Sequence, residues 1–192
     1  MEPHPHIKGY VTRLWHEHDP DWDWITHIRL VEKYATLLAK EMDADVEICR
    51  IAAWLHDIAK IQRKGDSLRH HVEGAEQAAQ FLGKLGYPRA RITQIQHCIL
   101  THSSDQDYIP ESDEAKIIAS ADAMSHFDNF CGLASTAYGM RHYSLEEGRK
   151  WLLKKYRKCW KKMQILPASQ TIMKTKYDAI QKVLKPISFK PE

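Results

Sequence analysis

The chain lacks most of the features that would classify it at once. Its four cysteines, Cys49, Cys98, Cys131 and Cys159, form no CxxC pair, which argues against a zinc knuckle or a dense disulfide framework; they read as reduced thiols. No apolar run approaches the roughly 18 residues of a membrane span. The N-terminal MEPHPHIKGYVTRLW has no apolar signal core, and the two absences together predict a soluble, cytoplasmic protein. Charge of one sign is missing too: 28 basic and 25 acidic side chains leave +3, so the total demands neither nucleic acid nor a membrane surface as partner. None of the eight glycines falls in a GxxxxGKS/T, GxSxG or GxGxxG frame, and there is no HExxH. Nucleotide-loop, hydrolase-elbow, dinucleotide and zincin chemistry therefore lack their sequence support. No segment alternates with period two between turn dipeptides, so no strand is predicted.

What remains is helical periodicity, and 192 residues suit a single domain, 1–192, with one core. Behind a Trp- and His-rich entry, in which His4 and His6 read as a solvated tail, residues 22–42 place Ile25, Ile28, Val31, Tyr34, Leu38 and Met42 on one helical face from Trp22 onward. Asp43 or Asp45 caps the next helix, whose apolar run ends at His56. Gly65, Asp66 and Ser67 break the pattern before a helix over about 70–85 and Gly86; Pro88 opens a fourth. Ser112 caps a fifth, SLEE at 144–147 is a capping box opening a long sixth, and a last helix spans about 168–184 before Pro186. The expectation is an all-α bundle of about seven to nine helices.

The twelve histidines need sorting. In AAWLHDIAKI, His56, Asp57 and Lys60 stand beside core-type residues. A helix-end histidine capping carbonyls next to a solvated aspartate is one reading; two ligands of a divalent cation is the other. His27 lies upstream, His70 and His102 downstream, and Asp122 sits inside the apolar IIASADAM, where an unpaired carboxylate is costly.

THIRLVEKYA, AAWLHDIAK, HHVEGAEQAAQFL, ILTHS and EAKIIASADAM, in this order over residues 22–128, resemble the HD superfamily of metal-dependent phosphohydrolases. The resemblance implies an HD-domain bundle in which His27, His56, Asp57 and Asp122 hold a metal. It implies that His70, from the HxxxGA pattern, and His102 line the substrate side or hold a second metal. His97 competes with His102, His126 reads as packing or a hydrogen-bond partner, and His71, about 100° round the helix from His70, reads as surface. Lys60 stands where some members carry an acid, and it points to the HDxxK group and to phosphate neutralisation rather than proton abstraction. Arg29, two rather than three positions after His27, is a lesser departure. Asp57, Lys60 and His70 are the implied catalytic residues, and Lys60, His70 and His102 the implied contacts to a small phosphorylated substrate. The implied cofactor is one or two of Mn, Fe, Co, Ni, Zn or Mg, which an imidazole and carboxylate set does not separate.

The C-terminal extension, 129–192, lies outside those motifs. Its RKWLLKKYRKCWKK, 149–162, reads as a helix with Leu152, Tyr156, Cys159 and Met163 inward and lysines on a solvated face. Such a face near a site attracts phosphorylated substrates. The reading is thus hydrolysis of a phosphomonoester, phosphodiester or phosphoanhydride of a nucleotide-like molecule. The alternatives are a non-catalytic nucleotide or metal sensor, and a nucleic-acid interaction protein using the basic helix. A homo-oligomer is compatible with either.

Overall fold

The computed structural model describes residues 5–18, 24–62, 69–103 and 108–186. His4, Trp22, Gly65, Asp66 and Ser67, each given a part in the sequence reading, lie outside them. The described residues include eight helices of ten or more residues: α1 (Pro5–His18), α2 (Trp24–Glu41), α3 (Val46–Leu55), α5 (His70–Lys84), α6 (Arg89–Thr101), α7 (Asp113–Asp128), α9 (Leu145–Lys162) and α10 (Pro167–Val183). Two five-residue helices, α4 (Ile58–Gln62) and α8 (Phe130–Ala134), interrupt them, and α8 runs into a π-helical stretch at Ser135–Met140. No strand occurs among the described residues, so the protein is all-α. No helix there is long and apolar enough to cross a membrane.

Local chemistry sets most boundaries. Asp45 accepts the Ile48 N–H at 3.0 Å to start α3, and Ser112 accepts the Ala115 N–H at 3.2 Å to start α7. Ser144 and Glu147 close the capping box of α9 reciprocally, the Ser144 N–H donating to Glu147 Oε2 at 2.9 Å. Pro167 opens α10 at the position where a missing N–H is harmless. The helix α1 was not foreseen; His6 lies in its first turn, and it buries Ile7, Val11 and Leu14, a four-then-three spacing, against α3 and α4.

At the centre α2 lies along α7 and α3, while α5 pairs with α6 and α9 covers α7. The α7 segment is buried nearly all round, with Ala119, Ser120, Ala121 and Ala123 among its buried residues. An element enclosed on every side has no polar stripe, and its few polar groups must then find internal partners. Asp122 is one of those groups.

Candidate metal centre

Six side chains from five helices or helix ends converge beneath α9. His27 comes from the second turn of α2, and His56 with Asp57 occupies the break between α3 and α4. His70 opens α5, His102 follows the last residue of α6, and Asp122 sits mid-way along α7. The break after Leu55 turns two adjacent residues inward, which a continuous helix could not do for neighbours 100° apart.

Hydrogen bonds orient the imidazoles. His56 Nδ1 lies 2.8 Å from the Ala53 carbonyl and His102 Nδ1 2.6 Å from that of Ile99. A carbonyl only accepts, so each Nδ1 carries the proton and, in the neutral ring, Nε2 is bare. Ser125 Oγ donates to the Asp122 carbonyl at 2.7 Å, using its only proton, and so accepts from His27 Nδ1 at 3.0 Å. His27 Nε2 is then bare as well. It faces His56 Nε2 at 3.2 Å, two acceptor lone pairs turned on each other in a buried site.

Carboxylates complete the ring of acceptors. Asp57 Oδ2 stands 3.7 Å from His27 Nε2 and 3.5 Å from His56 Nε2, and Asp122 Oδ1 approaches the same atoms to 3.5 and 3.9 Å. The other oxygen of Asp57, Oδ1, is 3.6 Å from His70 Nε2 and 3.4 Å from His102 Nε2, which are themselves 3.3 Å apart. Donor atoms sharing a cation at about 2.0–2.2 Å must crowd to such spacings, so the residues present fit a divalent ion. Asp57 faces both histidine pairs, and the two groups His27–His56–Asp57 and Asp57–His70–His102 are each tight enough to hold one.

Burial lowers the His56 pKa to about 3, with the neighbouring rings of His102 and His27 adding to the effect against the pull of Asp57. A neutral imidazole is the form that ligates. Burial pushes the Asp57 carboxyl up, but the Lys60 ammonium, at 2.9 Å from Oδ1 and 3.0 Å from Oδ2, then His56, hold it well below the usual range. For Asp122 burial is likewise outweighed, by Lys162 at 2.6 Å and then His126.

His71 and part of α9 stand elsewhere than the sequence suggested. His71 is not on the surface; it is buried, edge-on to both His70 and Tyr108 at 5.4 Å. His97 is away from the centre, accepting the Glu111 N–H at 3.2 Å. His126 stacks on His27 with centroids 5.2 Å apart and puts Nε2 3.7 Å from Asp122. The lysines of α9 are not all on a solvated outer face. Lys155, Lys158 and Lys162 border the cavity over the centre, while Leu152, Tyr156, Cys159 and Met163 are buried as expected. Ser125 and Lys162 were missed. Ser125 had no signal, whereas Lys162 could have been found from its position beside the Leu152, Cys159 and Met163 stripe.

The buried imidazoles and carboxylates that this all-α protein collects from successive helices could hold a divalent metal. The family model described as HD domain matches residues 24–126, more than half of the chain, and the chain belongs to that family. A crystal structure described as a predicted HD superfamily hydrolase from an uncultured Thermotogales bacterium is 25% identical with a TM-score of 0.59, covering 86% of this chain and 92% of that one. Bacillus subtilis YpgQ superposes with a TM-score of 0.70 at 17% identity over 93% of this chain and 90% of its own, a likeness of fold. Ribonuclease Y of Fusobacterium nucleatum is 29% identical over 122 residues, 64% of this chain; the match spans about a fifth (22%) of the ribonuclease's length.

Proposed function

We propose that this chain is a metal-dependent phosphohydrolase acting on a small, nucleotide-like phosphoester or phosphoanhydride. The observation that carries the reading is the pair of bare Nε2 atoms, His27 and His56, facing each other at 3.2 Å with Asp57 and Asp122 on either side. His27, His56, Asp57 and Asp122 would hold the principal cation, and His70 and His102 with Asp57 a second. A divalent cation there lowers the pKa of water and polarises a phosphoryl oxygen.

The remaining work falls to the chain's own groups. Lys60, about 27% exposed at its side chain, presents its ammonium at the cavity mouth, where it can neutralise phosphoryl charge. His70 and His102 border the same cavity, where, if they hold no second cation, they can donate to a leaving oxygen. The buried backbone carbonyls of Ala53 and Ile99 keep His56 and His102 pointed inward, so little reorganisation accompanies the reaction.

RNA is a second reading, favoured by the ribonuclease Y match and the basic α9. The cavity over the centre, about 150 Å³, suits a phosphate group better than a folded nucleic acid. Metal analysis with a turnover screen over nucleotides, bis-phosphoesters and oligoribonucleotides, on wild type and Asp57→Ala, tests both. We expect metal-stimulated release from a small substrate, reduced on the order of 10²–10³-fold or more in Asp57→Ala. No metal-dependent turnover of any substrate would sink the enzyme; oligoribonucleotides alone being cleaved would select the second reading.

A further inference from the structure

Four ammonium groups surround the cavity over the centre: Lys60 from α4 and Lys155, Lys158 and Lys162 from α9. Lys60 is paired with Asp57 and Lys162 with Asp122. Lys155 and Lys158 have no acidic partner among the described residues. Lys155, Lys158 and Lys162 are spaced three and four apart, on one face of α9, and like charges at those spacings destabilise a helix by a few tenths of a kcal/mol per pair, roughly 0.2–0.5. Lys155 also helps push the His126 pKa down, after burial. The fold therefore gathers positive charge on one wall of a cleft and leaves half of it unmatched.

That wall continues past the centre. A larger groove of about 450 Å³ adjoins the inner cavity and shares Ser103, Lys158 and Lys162 with it. Its lining also includes apolar and aromatic side chains, Tyr108, Ile109 and Ile165, and no acidic side chain borders it among the described residues. The inner cavity alone is smaller than the roughly 300–1,000 Å³ of a usual ligand site, so a bound molecule held at the centre extends into the groove. Along α9, Lys155 to Lys162 covers seven residues, roughly 10 Å of helix, longer than a single phosphate group.

We infer that Lys155, Lys158 and Lys162 form a second phosphate subsite beside the metal centre, so that the substrate carries two or more linked phosphates and lays its apolar body against Tyr108 and Ile165. The inference rests on the phosphohydrolase reading of the centre and narrows it to phosphoanhydrides and bisphosphates over simple monoesters. Lys60 and the centre take the phosphoryl group that reacts; α9 takes the one that does not.

Calorimetric titration of the full chain in buffer of constant Mg²⁺ tests this, with methylenebisphosphonate, which resists hydrolysis, against orthophosphate. Wild type should bind the bisphosphonate at least about 10-fold more tightly than orthophosphate, the scale of one or two charge-assisted contacts. The double variant Lys155→Gln/Lys158→Gln should lose that preference to within about 2- to 3-fold while keeping orthophosphate affinity and metal content. Lys158→Gln alone, at an exposed position, should lose part of it, and Lys155→Arg/Lys158→Arg should retain it. Equal affinities in wild type, or a preference that survives the double glutamine variant because the metal chelates the probe, would overturn the subsite. The preference without turnover of any ester would strike the hydrolase reading and leave the subsite standing. Monoester turnover without the preference does the reverse.

Discussion

The floor and the roof of the cleft are built on opposite terms. The floor is the histidine and aspartate ring from α2 to α7: His27, His56, Asp57 and His102 are all at most 4% exposed, and three of the imidazoles are oriented by a carbonyl or a hydroxyl. The roof is α9, where Lys158 and Lys161 are exposed and Lys162 is only partly covered. Burial makes a donor set rigid and selective for one protonation state; exposure leaves long side chains free to follow a ligand's charge at little desolvation cost. On the proposed reading, the floor would serve chemistry that hardly varies and the roof a choice among substrates.

Perturbing the two regions should give opposite signatures. The largest effect, after loss of Asp57 itself, is expected for Ser125→Ala. It removes the acceptor that holds the proton on His27 Nδ1, and metal affinity should fall about 10- to 100-fold in a competition titration. An unchanged affinity would show that the hydroxyl does not orient His27. A smaller effect of mixed sign is expected for Lys162→Gln. Taking an ammonium away from Asp122 should tighten metal binding while raising KM, each by about 3- to 10-fold, the scale of one partly covered charge pair. Both quantities weakening together would place Lys162 in the floor instead.

Protonation separates the regions further. The folded His56 pKa, about 3, lies below its ordinary 6.5, so the unfolded chain binds the proton first. Stability is then unaffected above 6.5 and is lost progressively as pH falls from 6.5 toward 3, by on the order of a few kcal/mol. Asp57 and Asp122, held below their usual range, contribute stability above about 4 and lose it as pH falls through their folded values. Thermal melts of metal-free protein from pH 7.5 to 5 should fall with pH, and His56→Gln should flatten that slope; a parallel slope in the variant would remove His56 as its cause. The smallest effect is expected for Gly74→Ala. An added Cβ meets His56 O, Ile58 and Ile99 at 3.5–3.6 Å, ordinary contact, so α5 should gain about 0.5 kcal/mol with metal content unchanged. Lost metal would mean that α5 needs glycine to approach the centre.

The floor was largely legible because it is written in unusual residues. A histidine at the end of an apolar run, or an aspartate within IIASADAM, conflicts with its surroundings, and such conflicts mark sites. Helix caps at Asp45, Ser112 and Ser144 were legible for the related reason that their chemistry is local. His71 was misread because a wheel assigns faces of one helix and knows nothing of Tyr108 arriving across it. Of the α9 lysines, Lys155 and Lys162 were misread the same way, since a basic helix face looks solvated until a cavity lies beneath it. The α1 helix was passed over because its mixed His and Trp content hid a three-residue apolar face.

The sequence by itself thus determined most of the long helices, the caps at Asp45, Ser112 and Ser144, and the residue types able to ligate a cation, because periodicity, capping and side-chain chemistry act over a few neighbouring positions. Only the tertiary structure decided that Ser125 holds His27, that Asp57 faces two histidine pairs, and that Lys162 closes over Asp122 from forty residues away. Those relations depend on how separate helices pack, and packing is settled by the burial of all the faces together rather than by any one segment.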